Sequence, residues 1–112
     1  MTSQQERSQQ VLAALADPVR LQLLRMIAAR GASTATDLAG DLPISRQAVV
    51  KHLGVLDAAG LVQHSRVGRE VRYSVQPGQL SDTARWMAGM AEMWDRKLKA
   101  IKDAAEKRTE SE

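Results

Sequence analysis

The sequence predicts a mainly α-helical fold with one small β-hairpin, in a single domain that spans residues 1–112. A chain of 112 residues fits one domain. It has no Phe, one Tyr and two Trp, so it lacks the aromatic and β-branched runs that are typical of sheet proteins. Apolar residues instead recur at helical spacing over most of the chain.

The first thirty residues predict two helices. The first spans residues 5–15 and has an apolar stripe. Asp17 can cap the second helix, and Pro18 suits its first position because the missing N–H costs nothing there. This second helix continues to about Arg30, where a glycine ends it.

A short helix and a longer one follow, separated by a turn. Residues 34–41 begin with the pattern of a capping box and predict the short helix. A turn follows at Pro43, and Ser45 caps a fourth helix that Gly60 ends. The apolar positions of the fourth helix that face the core are Val49, Leu53 and Leu56.

Two strands and a long helix complete the chain. Residues 61–66 and 70–75 alternate in polarity, and Gly68 lies between them where a tight hairpin requires positive φ. Pro77 and Gly78 are expected to end the hairpin. The last helix is then predicted over residues 79–107.

The last helix carries an uninterrupted heptad seam. Its apolar residues recur at alternating spacings of four and three: Leu80, Ala84, Met87, Ala91, Trp94, Leu98, Ile101 and Ala105. So broad an apolar face would be left in water unless a partner covers it, and a twofold dimer is the simplest solution. The residues predicted to form a dimer interface are Val11, Leu15, Met87, Met90, Trp94, Leu98 and Ile101. A small apolar ligand pocket lined by the Met and Trp residues is the alternative.

The positive charge of the chain is concentrated in the fourth helix and the hairpin. Residues 43–75 contain five Lys or Arg residues and two acidic residues, a net charge of +3. The whole chain also carries +3, so the remaining residues sum to zero. This distribution suits a basic recognition surface on a neutral body.

The element order is that of a winged helix-turn-helix, α-α-α-α-β-β-α, in which the fourth helix enters the DNA major groove and the hairpin forms the wing. Gln47 can pair with an adenine edge, and Val50 can contact a thymine methyl. Free N–H groups near Ser45 favour a phosphate. The predicted DNA-binding residues are Ser45, Arg46, Gln47, Val50 and Lys51 on the helix, with Arg66 and Arg69 on the wing. Arg46 or Lys51 can reach guanine or a phosphate, and Arg72 contributes if its face points outward.

Three segments of the chain resemble the ArsR/SmtB-type family of bacterial winged helix-turn-helix repressors: LADPVRLQLLRMI, ATDLAGDLPISRQAVVKHLGVLDAAGLV and SRVGREVRYSV. The resemblance covers about residues 12–75. It implies a homodimer formed by the first and last helices that binds an inverted-repeat operator near its own promoter. It also implies repression that an inducer relieves.

The familiar inducer of that family is a metal ion, and here the sequence departs from the family pattern. The chain has no cysteine, so the thiolate site in the helix before the fourth is absent. The last helix has Asp82, Glu92 and Asp95 but no histidine. The chain therefore resembles the branch without metal-binding cysteines, and we expect no metal and no cofactor. An inducer ligand of unknown identity stays open as a partner.

Other function classes are less consistent with the sequence. It has no Gly-rich phosphate loop and no acid/base pair in a plausible cleft, so we do not expect an enzyme. It has no apolar stretch of about 20 residues and no secretory signal, so we expect a cytoplasmic protein with no membrane partner. Three alternatives stay open: a metal- or small-ligand-responsive sensor of the same fold, a winged-helix protein-interaction module, and basic residues that are merely solvated surface.

Overall fold

The computed structural model describes residues 3–110, so the predicted domain limits at residues 1 and 112 lie outside it. Over the described residues the chain forms five α-helices and three β-strands. Their bounds are α1 Gln4–Leu15, α2 Pro18–Arg30, β1 Ser33–Thr34, α3 Ala35–Gly40, α4 Arg46–Ala58, β2 Val62–Val67, β3 Glu70–Val75 and α5 Pro77–Glu110. The predicted element order is confirmed, with one strand added.

Polar side chains cap the helices where the sequence predicts it. Asp17 accepts hydrogen bonds from the backbone N–H groups of Val19 and Arg20, at 2.8 and 3.2 Å. The Thr34 hydroxyl accepts from the N–H of residue 37, and the Ser45 hydroxyl accepts from the N–H of residue 48, each at 3.1 Å. These bonds satisfy N–H groups that have no partner within the helix, and so they fix where α2, α3 and α4 begin.

The sheet is antiparallel, and β3 lies between β1 and β2. Gly68 has a φ of 64° at the tip of the β2–β3 hairpin, as the sequence predicts. The strand β1 was not predicted. It has two residues, and it forms because Ser33 and Thr34 pair with Tyr73 and Arg72 of β3. Such a strand depends on a partner forty residues away, and so it has no periodicity of its own to reveal it.

The last helix begins earlier than the sequence predicts. Pro77 and Gly78 do not end the hairpin as a separate turn, because Pro77 is the first residue of α5. Proline is well suited to that position, since the first helical N–H has no partner within the helix. The helix continues to Glu110 and has 34 residues, which corresponds to about 50 Å. It packs mainly against α1, and the molecule is 75 Å long.

The core is aliphatic and collects residues from α1 to β2. Its fully buried members include Leu23, Ile27, Leu38, Leu53, Leu56 and Leu61. Val11 also belongs to this core and is 0% exposed. The prediction that Val11 lies in a dimer interface is therefore wrong, because its side chain has no surface left for a partner. Leu15 is half-buried and packs against the same core.

Arg20 joins three helices at the edge of the core. Its Nε donates to the Ala14 carbonyl at 2.7 Å, near the end of α1, and its Nη1 lies 3.5 Å from His52 Nδ1 on α4. The same guanidinium lies 3.6 Å from Asp17. The hydrogen bond from the Arg20 backbone N–H is the main reason why the pKa of Asp17 lies below its ordinary value, and the N–H of Val19 acts in the same direction. Desolvation opposes them.

Over residues 3–110 no helix is both long enough and apolar enough to cross a membrane.

The lowered pKa of Asp17 predicts how stability depends on pH. Because the folded-state pKa lies below the unfolded-state value, ionised Asp17 stabilises the fold above the unfolded-state pKa, and this contribution is lost as the pH falls through the folded-state pKa. Asp17→Asn keeps an equally good cap but cannot ionise. We expect the free energy of unfolding to fall more steeply below about pH 4 in the unaltered chain than in Asp17→Asn. Urea denaturation across pH would contradict this if the two curves ran parallel.

Candidate nucleic-acid interface

The helix α4 has one buried and one exposed face. Val49, Leu53 and Leu56 are 0% exposed and face the core, as the sequence predicts. The opposite face is exposed and comprises Arg46, Gln47, Val50 and Lys51. An apolar Val50 that is 39% exposed among polar neighbours is suited to contact an apolar group on a partner, such as a thymine methyl.

The exposed face of α4 forms one wall of a groove of about 450 Å³. The start of α3 forms a second wall, and the wing forms the third. The lining residues are Thr34, Ala35, Thr36, Asp37, Arg46, Val50, Arg69, Glu70, Val71 and Tyr73. The groove brings Arg46 and Val50 of α4 together with Arg69 of the wing. A surface that binds DNA through both the helix and the wing requires this proximity.

Of the wing arginines, Arg69 lines the groove, and so does Val71 of β3. Arg66 of β2 pairs with Val71, and directly paired residues share one face of a sheet, although Arg66 is not among the lining residues. Arg72 donates two hydrogen bonds of 3.3 Å to Glu70, which also lines the groove. Arg69 is thus the predicted wing contact that the structure places in the groove.

Arg46 has a contact that the sequence does not reveal. Its Nε donates to the Thr36 hydroxyl oxygen at 3.1 Å, so the side chain reaches from α4 back to α3. Ser45 uses its hydroxyl to cap α4. A contact between Ser45 and DNA would therefore use backbone N–H groups or a hydroxyl that is already engaged.

The two histidines lie on different elements, His52 on α4 and His64 on β2. His52 is half-buried beside Arg20, as expected of a packing residue at the helix flank. His64 lies on the exposed surface of β2, where its Nδ1 is 2.6 Å from the Asp57 carboxylate and its ring contacts Tyr73 at a centroid distance of 5.9 Å. The pair of His64 and Asp57 connects the wing to the last turn of α4, and sequence reasoning missed it.

The acidic residues of the last helix do not converge. Asp82 pairs with Arg85 one turn away. Within the part of the chain that the structure describes, no three His, Cys, Asp or Glu residues are grouped so that they could hold a metal ion. The expectation of no metal stays a prediction.

Comparisons with known proteins identify the protein family to which this chain belongs. A family model described as a helix-turn-helix domain matches residues 15–64. The transcriptional repressor SdpR of Bacillus subtilis (strain 168) is 31% identical over 88 residues, which cover 79% of this chain and 97% of that protein. The structure of an ArsR-like transcriptional regulator from Rhodococcus sp. RHA1 is similar with a TM-score of 0.80 and 43% identity, over 88% of this chain and 92% of that one. The chain belongs to the ArsR/SmtB family of transcriptional regulators.

A further relative bears on the architecture of this ArsR/SmtB protein. A homodimeric winged helix-turn-helix DNA-binding domain from Mycobacterium bovis, a possible ArsR-family regulator, is similar with a TM-score of 0.61 and 27% identity, over 80% of each chain. The predicted winged helix-turn-helix fold is thus confirmed: α3 and α4 are the helix-turn-helix, and β2 and β3 are the wing. The family is one of DNA-binding transcriptional regulators, as the sequence predicts.

The family match does not reach every predicted site. Residues 15–64 include α2, α3 and α4, and with them the four exposed residues of α4. The wing tip and α5 lie beyond that match, so Arg66, Arg69 and the seam of α5 rest on the geometry of this chain. Thr36, Val71 and Tyr73 line the groove although the sequence does not predict it. Val71 and Tyr73 alternate along β3 as core-facing residues do, and Thr36 is a polar residue in the first turn of α3, so no sequence signal distinguishes them.

Proposed function

We propose that this chain is a homodimeric repressor that binds an inverted-repeat operator at its own promoter. The observation that carries the proposal is the groove, which brings Arg46 and Val50 of the exposed face of α4 together with Arg69 of the wing. The relatives support the direction of regulation, since the protein from Bacillus subtilis is named a transcriptional repressor.

The proposed DNA contacts divide into two kinds. Gln47, Val50 and Lys51 lie on the exposed face of α4, where the N-terminal half of a recognition helix meets base edges in the major groove. Arg69 of the wing lines the groove, and with Arg66 of β2 it contacts phosphates or the minor groove. Sequence preference then comes from α4, and most of the wing's contribution is affinity.

The seam of α5 supports the dimer. Trp94, Leu98 and Ile101 are 53%, 58% and 66% exposed, although all three are large and apolar. Along α5 they follow Trp86, Met90 and Met93, which line a cleft together with residues of α1. A contiguous apolar surface of this kind marks an interaction site, and a second copy of the chain supplies a matching seam.

The order of residues along the seam favours an antiparallel pair. With a twofold axis between residues 92 and 93, every alanine of the seam lies opposite a larger residue of the second copy. The layers are Ala91 with Trp94, Met87 with Leu98, Ala84 with Ile101, and Leu80 with Ala105. A parallel pair would instead stack alanine on alanine and tryptophan on tryptophan, and it would bring Lys97 near Lys102. Interfaces need the packing density of protein interiors, so we propose the antiparallel arrangement.

A specific observation favours a ligand-responsive repressor as the second candidate. A cleft of about 550 Å³ lies between α1 and α5, within the size range of small-molecule sites. Trp86, Met90 and Met93 line it together with Gln5 and Gln9. An apolar small molecule that releases DNA from an intact dimer would favour this candidate.

The function is tested by binding to the promoter fragment upstream of the chain's own gene, beside a random fragment of equal length. We expect tighter binding to the promoter fragment and a steep loss of affinity with salt, because phosphate contacts release counterions. Equal affinity for both fragments would refute operator recognition. No binding to either fragment would favour a protein-interaction module.

Two variants in the same assay separate the roles of helix and wing. Gln47→Ala should reduce the preference for the promoter fragment by about 1–3 kcal/mol, because it removes a base contact. Arg69→Ala should weaken binding to both fragments alike and lower the salt dependence, because it removes a phosphate contact. The reverse pattern would contradict this assignment.

The dimer is tested by Trp94→Glu, which places a charge at the centre of the proposed seam. We expect sedimentation to show a monomer, because two charges would be buried without partners. Arg96→Glu is the matched control, since it introduces the same residue on the opposite side of α5 and should leave the dimer unchanged. A dimer in both variants would place the interface elsewhere.

The orientation of the two α5 helices is tested by a spin label attached to the variant Glu106→Cys. The chain has no cysteine of its own, so the label attaches at this position alone. At 1.5 Å per residue, the antiparallel arrangement places the two labels about 40 Å apart along the helices. A parallel pair would place them within about 15 Å, since neighbouring helix axes lie about 8–10 Å apart. Pulsed dipolar spectroscopy distinguishes the two distances.

A further inference from the structure

The side chain of Arg46 is held in a direction that its place in the chain does not suggest. Arg46 is the first residue of α4, and the N-terminal residues of a recognition helix commonly reach base edges. Here the Arg46 Nε donates to Thr36 Oγ1 at 3.1 Å, which draws the guanidinium toward α3. A guanidinium has five N–H donors, and this bond uses the one on Nε.

The position of Thr36 indicates what the rest of the guanidinium can meet. Thr36 lies in the first turn of α3, and the first helix of a helix-turn-helix crosses the DNA backbone while the second enters the groove. An arginine held against that first helix therefore lies beside the sugar–phosphate backbone. Its Nη1 and Nη2 groups form a planar pair of donors that matches two oxygens of one phosphate.

The charges around Arg46 are consistent with a phosphate. The same groove contains Arg69 on the wing, so two guanidinium groups line it. Two carboxylates line it as well, Asp37 and Glu70. Glu70 already accepts hydrogen bonds from Arg72, which offsets its charge.

We infer that Thr36 is a positioning residue that fixes Arg46 on a backbone phosphate of the operator. The inference rests on the proposed function and changes the role of Arg46 within it: Arg46 contributes affinity, and the sequence is read by Gln47, Val50 and Lys51. The contribution of Thr36 is preorganisation, because an arginine that is already ordered loses less side-chain freedom on binding.

The experiment measures affinity for the promoter fragment and for a random fragment with Thr36→Val, Arg46→Ala and the double variant. Valine has nearly the shape of threonine but cannot accept the bond from Arg46. We expect Thr36→Val to weaken binding to both fragments by about three- to tenfold. Arg46→Ala should weaken both further and lower the salt slope by about one per lost phosphate contact.

The double variant decides whether Thr36 acts through Arg46. In the Arg46→Ala background, Thr36→Val should change affinity by less than about twofold, because there is no side chain left to position. Thr36→Ser retains the hydroxyl and should restore the affinity of the unaltered chain. Melting temperatures of all variants confirm that each is folded.

Two results would overturn the inference. If Thr36→Val weakened binding equally with and without Arg46, Thr36 would act independently of it. If Arg46→Ala abolished the preference for the promoter fragment, Arg46 would read a base. Either result leaves operator recognition by the unaltered chain intact, whereas equal binding of both fragments by the unaltered chain would refute the proposed function itself.

Discussion

Packing of three apolar side chains fixes the rotation of α4, and the rest of the proposed DNA-binding surface depends on that rotation. Val49, Leu53 and Leu56 are fully buried. Burying a side chain of this size stabilises the fold by about 1.5–3 kcal/mol. A rotation of α4 by one residue, about 100°, would turn these three side chains away from the core, and in one direction it would bring Asp57 toward the core without a partner there. The same packing that stabilises the core therefore presents Gln47, Val50 and Lys51 to solvent.

The wing is placed relative to α4 by contacts on both edges of its central strand. On one edge β3 pairs with β1, which leads directly into α3. On the other edge it pairs with β2, and the 2.6 Å contact between His64 and Asp57 connects β2 to α4. The wing is thus held against both helices of the helix-turn-helix. This placement brings Arg69 to the same groove as Arg46 and Val50 of α4.

The sequence predicts the elements whose signals are local, and it fails where a residue depends on distant contacts. Capping by Asp17, Thr34 and Ser45, and the glycine at the hairpin tip, follow from residue type and neighbours alone. The strand β1 needs β3 as a partner. Pro77 is ambiguous, because proline ends one element and begins a helix equally well.

The site shows the same division between local and distant causes. The exposed face of α4 follows from helical periodicity, so it could be predicted. The bond between Arg46 and Thr36 joins residues ten positions apart on two helices, and it depends on how those helices pack. Val11 was misassigned for a related reason: an apolar stripe shows that a side chain is buried, but not whether its own chain or a second copy covers it.

The helix α1 connects the surface proposed to bind DNA with the surface proposed for the dimer. It packs against α5 on one side, and on the other Gln10 donates to the Ala58 carbonyl at the end of α4, at 3.3 Å. Arg20 adds a second connection, between the end of α1 and His52 on α4. A twofold dimer reads half-sites at a fixed separation, about 34 Å for one helical turn of DNA. That separation is defined only if each α4 is held rigidly to the dimer axis, and α1 with these contacts supplies the connection. In the proposed dimer, the seam of α5 and the exposed face of α4 would thus move as one rigid body.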